Sequence, residues 1–572
     1  MVKSTHDRHD RLTIALIFAL FFGAIAPTLD LLEFSNGAEN LVIATALEVR
    51  REGCWLIPTL HGEPRVAKPP LAAWLAALSI GEDTMRRLSD PDPTVRDGAE
   101  RDLAWQSRWP FLASSCAMLV AVHTLGRIIA GNTVAMVSAL ITGTNLLFLR
   151  FGRAATTDVQ LALWVTVTSA FLAMAAAGRG RWIAFGGAGV ALGLAFMSKG
   201  PVAILQTVVP FIVWWLWNRL RVTTVEIRGA VRWAGPALVG AVSFALVALP
   251  WFVLVALKSP DVWSSWRVEV TREGATALAP GKWYGYLALF PYLLPWSVFF
   301  VTGAVMIACE AWMRPAEDRV RGWMLPLLLV VIPLLTMSFF RDRKERYMLP
   351  MLGPAAIVAA RAISEHLDGE LRRSAVGRAI VATHWGFVAL LALGLPIASA
   401  AAFKTIDGTP WYSSRAAFAM ACGFALLLLV GIWLTKHQRF SLVATTVVTM
   451  LAVNFVFIYG YRDTREGRSE LKPLASILWQ HTGDMTVHTT HDRKQAVPSD
   501  LSIYLNRTVR WIDAPDLRRA ERPCVVVIRQ GPKEEPPQPP TGATEIARVP
   551  RDRNWWYAFA MEPEARTGSA AQ

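Results

Sequence analysis

The chain has 572 residues, of which 53% are hydrophobic and 18% charged, with 24 Trp. Soluble domains carry about a quarter charged residues, so a water-soluble globular body is excluded for most of this chain. The net charge of +14 is spread over short loops between apolar runs, which excludes a nucleic-acid groove and points to lipid headgroups and phosphorylated lipids.

The N-terminus, MVKSTHDRHDRLTIALIFALFFGAIAP, has a basic start and an apolar run with no small-residue cleavage site, so it reads as an uncleaved first span. Apolar runs long enough to cross a hydrocarbon core follow near 107–126, 132–149, 159–177, 183–198, 201–217, 233–256, 293–310, 323–339, 348–364, 379–402, 416–434 and 440–460. With the first at 12–30, about thirteen spans are predicted, which places the termini on opposite sides. Basic short loops at Arg127, 178–181, 218–232, 314–321, 361–378 and 436–439 share the N-terminal side, as cytoplasmic loops should. Residues 31–105, 150–158, 199–200, 257–292, 340–347, 403–415 and those after 461 then face outward.

The first outward loop holds an amphipathic stretch at 39–51, then Gly-Cys-Trp-Leu-Ile-Pro, then Ala-Lys-Pro-Pro-Leu-Ala-Ala-Trp opening a further apolar helix. Pro69 and Pro70 fit the first turn of that helix, leaving Lys68 at its N-terminal end, where anions are favoured. Asp158 starts the fourth span, either as a plain N-cap or as a site carboxylate. Glu39, Lys68, Asp158, Lys199, Glu269, Lys344 and Arg346 all fall on the outward side. One boundary Lys normally snorkels to headgroups, but seven charged groups from separate segments on one face read as a functional site.

The five cysteines show no metal-ligand spacing, and a disulfide between the outward Cys54 and Cys524 is left open. The tail reads as a small α/β domain, with a polar helix (SELKPLASILWQHTG) and β-like runs at MTVHTT, TVRWID and CVVVIRQ, closing on a Pro-rich stretch and a loose end. The predicted division is therefore 1–460 for the membrane domain, with large loops at 31–105 and 257–292, and 461–572 for a soluble domain. No internal repeat of the inverted-transporter kind is present.

The loop text from Glu39 through Gly-Cys-Trp-Leu-Ile-Pro-Thr-Leu-His-Gly-Glu-Pro-Arg-Val-Ala-Lys-Pro-Pro resembles the first periplasmic loop of bacterial lipid A aminoarabinose transferases and the related protein O-mannosyltransferases. Ala-Thr-Thr-Asp-Val at 158, Met-Ser-Lys-Gly-Pro-Val at 199 and Lys-Glu-Arg-Tyr-Met-Leu-Pro at 344–350 resemble further motifs of that family, in the same order and on the same face. The resemblance covers roughly residues 10–360. It implies a GT-C fold: an all-α polytopic membrane glycosyltransferase with a long first periplasmic loop and a C-terminal extracytoplasmic domain in the bacterial inner membrane, N-terminus cytoplasmic.

The implied reaction passes a sugar from a polyprenyl phosphate to a lipid, protein or glycan acceptor, usually with inversion. Residue by residue, the resemblance implies that Asp158 is a site carboxylate and that Lys68, Lys199, Lys344, Arg346 and Tyr347 meet the donor phosphate. Two departures stand out. The family's Asp-Glu pair is Ala38-Glu39 here, so either Glu39, together with Asp158, takes over as catalytic carboxylate or the chain only binds lipid-linked sugar. The family's metal-ligand positions are Ala67 and Glu269, so no metal or other cofactor is predicted; Glu269 and Arg272 are additional site candidates. A flippase for lipid-linked sugars is the competing reading. Such a protein should carry charged or broken spans near the midplane, whereas the charges here gather at one boundary.

Overall fold

The computed structural model describes residues 2–221, 228–259, 262–267, 286, 289–315, 317–339, 344–402, 415–435, 438, 440–464, 467–469, 471–483, 485–490, 499–512, 522–531, 535–540, 542–551 and 554–561. They form two compact units, each built from separated pieces of chain. The first comprises Met1–Leu29, Val66–Ala72 and Arg108–Thr464; the second comprises Asp30–Arg65, Ala73–Ser107 and Arg465–Gln572. The division expected at 460/461 grouped the first loop with the spans, yet most of that loop packs with the tail.

The first unit is all helix. In chain order it holds α1 (Val2–Ile25), then, beyond the loop helices α2 (Gly37–Glu52), α3 (Leu71–Ser79) and α4 (Glu82–Arg87), the long α5 (Pro93–Ala130). There follow α6 (Asn132–Thr144), α7 (Leu146–Phe151), α8 (Thr157–Ala176), α9 (Arg181–Lys199), α10 (Val202–Arg221) and α11 (Arg228–Lys258). A single turn, α12 (Leu289–Tyr292), precedes α13 (Ser297–Met313), α14 (Asp318–Ser338), a 3₁₀ segment over Glu345–Met351, α15 (Leu352–Leu367), α16 (Ala375–Ala402), α17 (Arg415–Thr435) and α18 (Ser441–Tyr461).

Among the described residues nine helices are long and apolar enough to cross a membrane, and Ser297–Met313 and Ala421–Trp433 are shorter apolar helices. The chain is thus a multi-pass membrane protein. The run expected as one span at 132–149 breaks instead at Asn145, whose extended backbone ends α6 and whose side chain accepts the Phe148 N–H at 2.9 Å. That capping bond starts α7 afresh, which the apolar run conceals.

Where α9 and α11 cross, backbones touch through glycine. A Cβ on Gly189 would lie 2.1 Å from the Gly240 carbonyl oxygen, and one on Gly193 would lie 2.7 Å from Val247 Cβ. Between α13 and α15, a Cβ on Gly303 would meet the Val358 carbonyl at 2.0 Å. In lipid, where apolar side chains gain little by leaving the solvent, such close approach is what holds helices together.

The second unit mixes α and β. Helix α2 is capped by Asn36, whose side chain accepts the Ala38 N–H, and is ended by Gly53 in the left-handed region at φ 70°. The tail supplies α19 (Lys472–Thr482), α20 (Asp500–Leu505) and a five-stranded sheet. After the short loop hairpin β1 (Thr59–Leu60) and β2 (Glu63–Pro64), the sheet strands are β3 (Thr486–Thr490), β4 (Val509–Ile512), β5 (Cys524–Gln530), β6 (Ala543–Arg551) and β7 (Asn554–Met561). Their order is β4-β3-β5-β7-β6, with β3 parallel to both its neighbours and β7 antiparallel to β5 and β6.

Within the stretch read as loose, Ala543–Arg551 and Asn554–Met561 pair as an antiparallel hairpin of this sheet. Tyr557, Phe559 and Met561 pack into the core with Cys524, Val526 and Ile528. Cys524 is buried in the middle strand and Cys54 is half-buried in the loop; both carry free thiols, so the disulfide left open by the sequence is not formed.

Loop and tail are joined by named bonds. The Phe34 N–H donates to Tyr504 Oη at 3.0 Å, Arg51 Nη1 to Asn506 Oδ1 at 2.9 Å, and Thr508 Oγ1 to Glu52 Oε1 at 2.9 Å. Lys472 reaches Asp97 at 2.8 Å and Glu100 at 2.5 Å, and Trp479 is stacked by Arg96 and Arg507, each 4.7 Å from its ring. The β1–β2 turn places His61 and Gly62 at φ 59° and 77°, the two positive values a two-residue hairpin turn requires. Buried Glu48 holds this turn by accepting the His61 N–H at 2.8 Å and the Gly62 N–H at 3.3 Å, and His61 Nδ1 donates to the Val509 carbonyl of β4 at 2.8 Å.

Two expectations follow. Gly189→Val should force α9 from α11, costing about 1–3 kcal/mol or more and lowering the unfolding temperature of the purified protein; an unchanged temperature would refute the close-packing argument. Burial, with the charge of Arg65, lowers the His61 imidazole from its ordinary 6.5. The stability that neutral His61 contributes is full above pH 6.5 and is lost as pH falls below it. Limited proteolysis of the tail should therefore accelerate between pH 7.5 and 5.5. In His61→Asn, which tolerates positive φ and does not titrate, that acceleration should be weaker.

Candidate active site

Three separate pieces of the first unit meet at Asp158. Helix α8 begins at Thr157 after extended Thr156, so Asp158 sits in its first turn, where the helix dipole favours a negative charge. Lys199 is the last residue of α9, ended by Gly200 at φ 70°, a position that favours a cation. Pro201 follows and cannot continue α9, so the chain turns into α10. The third piece is the 3₁₀ segment after α14, where Lys344 is the N-cap and Arg346 and Tyr347 follow.

The geometry is tight. Lys199 Nζ donates to Asp158 Oδ1 at 2.6 Å and Arg346 Nε to Asp158 Oδ2 at 2.9 Å. The carboxylate is 3% exposed, against 10% for the Lys199 side chain and 20% for Arg346. Lys199 Nζ also lies 3.5 Å from the centroid of the Tyr347 ring, and Arg346 Cζ lies 5.5 Å from it. The Tyr347 N–H donates to the Lys344 carbonyl at 3.0 Å, which fixes the turn. Each carboxylate oxygen holds one cation, so Asp158 first acts as the post to which two cations are tied. Two cations gathered at one carboxylate form a set of charge-assisted donors of the kind that suits a phosphate.

Of the other residues expected here, Lys344 lies in the same segment, exposed, and Lys68 is half-buried in the Val66–Ala72 stretch of the same unit. That stretch is held by Trp266, whose indole N–H donates to the Val66 carbonyl at 2.9 Å. Glu39 belongs to the second unit, in the first turn of α2, and is 3% exposed. Glu269 and Arg272 lie outside the described residues. Among the described residues no group of three or more His, Cys, Asp or Glu could hold a metal ion.

Sequence reasoning missed two neighbours of the cluster. Gln206, one turn into α10 and buried, points Nε2 at the Tyr347 carbonyl at 3.5 Å and at Met337 Sδ at 3.2 Å, while its Oε1 has no hydrogen-bond partner. Its signal was an amide inside an apolar span. Tyr292 of α12 accepts from Arg150 Nη1 at 3.1 Å and bonds Glu345, tying α7 to the 3₁₀ segment beside Arg346. Burial, reinforced by that bond to Glu345, raises the Tyr292 phenol. No motif announced it.

An all-helical, polytopic unit with this cluster at the ends of its helices has the GT-C-type membrane fold. The solved structure of ArnT from Cupriavidus metallidurans bound to undecaprenyl phosphate matches 96% of this chain and 99% of that one, with a TM-score of 0.69 at 17% identity. Its apo form matches with a TM-score of 0.67. At that identity the likeness speaks for the fold.

Residues 100–265 match the family described as dolichyl-phosphate-mannose-protein mannosyltransferase. Among curated relatives, an undecaprenyl phosphate-alpha-4-amino-4-deoxy-L-arabinose arabinosyl transferase of Pseudomonas savastanoi is 28% identical over 360 residues, covering 60% of this chain and 60% of that protein. Its counterpart in Erwinia tasmaniensis is 28% identical over 397 residues, covering 67% of this chain and 65% of its own length. The matched part thus spans about 60% of the length of the Pseudomonas relative. The resemblance read from the loop motifs holds at the level of the fold.

Removing one partner of a buried ion pair strands the others. Asp158→Asn leaves Lys199 and Arg346 side by side and should destabilise the purified protein by about 3 kcal/mol. Adding Lys199→Met should recover part of that loss; strictly additive effects in thermal unfolding would show that the pair is not coupled.

Proposed function

We propose that this protein is a membrane glycosyltransferase of the bacterial inner membrane, taking a sugar from a polyprenyl phosphate and passing it to an acceptor on the periplasmic side. The observation that carries the reading is the Asp158 post, with Lys199 and Arg346 on its two oxygens. In the reaction an acceptor oxygen attacks the anomeric carbon and the bond from that carbon to the phosphate oxygen breaks. The polyprenyl phosphate leaves with the electron pair, and the acceptor proton passes to a carboxylate. Developing charge on the leaving phosphate is met by preorganised cations, which is where such a site gains most of its rate. Lys199 and Arg346 take that part, with Lys344 and Lys68 as further donors. Tyr347 keeps the Lys199 ammonium in line through its ring face.

Glu39 is proposed as the carboxylate that takes the proton, standing one place along from the family's acidic pair. The donor to test first carries 4-amino-4-deoxy-L-arabinose on undecaprenyl phosphate, the sugar and carrier in the names of the relatives. The acceptor is a lipid, protein or glycan hydroxyl or phosphate. Orientation follows the basic short loops, with the N-terminus cytoplasmic and the tail periplasmic.

The test is release of undecaprenyl phosphate by purified protein given donor and a membrane extract as acceptor pool. Lys199→Ala and Arg346→Ala should each lower turnover by roughly 10²-fold, the loss expected when one charge-stabilising group is removed. Glu39→Gln should abolish turnover while leaving donor affinity intact. Folded wild-type protein that releases no carrier across a panel of sugars would overturn the enzyme reading.

A further inference from the structure

Helices α8–α11 carry a second feature besides the Asp158 cluster. They enclose a half-open cavity of about 490 Å³, lined among others by Thr168, Leu172, Phe185, Leu192, Trp215 and Trp233. Thr168 and Leu172 lie 10 and 14 residues along α8 from Asp158, about 15 and 21 Å at roughly 1.5 Å per residue. On α9, Leu192 and Phe185 lie 7 and 14 residues before Lys199, and on α10 the lining runs from Ile204, near the Lys199 end, to Trp215, so the cavity extends along the spans toward the end opposite Lys199. Its volume is in the range of ligand pockets, and its wall is almost wholly apolar.

The aromatic residues at the far end of the cavity carry cations. Arg181 Cζ lies 5.3 Å from the Trp233 ring, and Arg219 Cζ lies 5.1 Å from the Trp215 ring. Both indoles line the cavity, so each guanidinium lies against a ring of its wall. Among the described residues neither Arg pairs with a carboxylate, and Arg181 Nε is buried with no hydrogen-bond partner. Arg181 is also the first residue of α9, the positive end of the helix dipole, where a cation is disfavoured and an anion welcome. Asn218, beside Arg219, has a buried Oδ1 with no hydrogen-bond partner. Trp and Arg together at a span end mark the headgroup level of a bilayer.

We propose that this cavity is a binding site for an anionic glycerophospholipid of the leaflet opposite Asp158, with one acyl chain in the cavity and the phosphate at Arg181 and Arg219. An apolar hollow inside membrane-spanning helices is open only to molecules dissolved in the bilayer, so the occupant brings a hydrocarbon chain. The two guanidiniums select the headgroup by charge, and the chain completes packing that the four helices leave open. The headgroup end lies at the ends of the helices opposite Lys199, and its occupancy does not depend on the proposed reaction.

The test uses the full chain in detergent, titrated with phosphatidylglycerol or phosphatidylcholine of identical chains and read by native mass spectrometry. Wild type should retain phosphatidylglycerol at least fivefold over phosphatidylcholine. Arg181→Gln with Arg219→Gln should bring that ratio to parity. Ala241→Trp, which fills the cavity from an exposed lining position, should lower binding of both lipids with the arginines intact. Equal retention of the two lipids by wild type, or a preference surviving the double substitution, would overturn the proposal. Displacement of phosphatidylglycerol by equimolar undecaprenyl phosphate would overturn it too, reassigning the site to the carrier.

Discussion

A carboxylate buried at the end of a membrane span is costly unless something holds its charge, and Asp158 is held from two sides. That requirement organises this half of the molecule. Lys199 can reach it only because Gly200 and Pro201 end α9 at that level, and Arg346 only because the chain after α14 tightens into a 3₁₀ turn instead of continuing as helix. Three stretches of chain, the last more than 180 residues from the first, are thereby fixed to a single point. The cost of burying the carboxylate is met by two cations held at one point, and the same arrangement that makes the ion cluster tolerable gathers charge-assisted donors there.

The glycine contacts set the framework for this. Where Gly189 meets Gly240, and Gly303 meets Val358, helices approach until backbone touches backbone. Helices locked at such distances cannot slide by a turn, and a slide of one turn would part Lys199 from Asp158. Specificity in the cluster thus rests on packing far from it. Elsewhere the same helices do not close: Gly240 also lines the apolar cavity, so close contact and open space alternate along one helix.

Much of this was legible in the residues. Apolar runs located the helices, because a bilayer admits few alternatives to a helix of about 20 residues. The charged residues stood out because a boundary is a poor place for charge. What escaped had physical reasons. Asn145 cut a span because its side chain competes for the Phe148 N–H, a local bond that an apolar count cannot see. The pairing of Asp158 with Arg346 joins segments 188 residues apart, and nothing local in either segment encodes the other. Gln206 and Tyr292 act through neighbours supplied by other helices. The strand at 554–561 carries its own signal in Trp555, Trp556, Tyr557 and Phe559, strong strand residues, but the Pro-rich stretch before it has the composition of a loose segment.

The most instructive miss is the division of the chain. Composition separates apolar from polar, so it cut at residue 460 and left the first loop with the spans. Polarity does not say which polar segments share a core. In the second unit the loop hairpin is fastened by buried Glu48 at its turn and by His61 on the edge strand β4, while Lys472 of the tail is held between Asp97 and Glu100 of the loop. Burial raises the Glu48 carboxyl and lowers the His61 imidazole, so both groups sit where water does not reach. Neither partner has that dry setting alone, since the hairpin has two residues per strand and an isolated hairpin is marginal in water. The loop therefore depends on the tail for its shape. The tail, which carries no motif of its own, thereby shares a core with α2, the helix that carries Glu39.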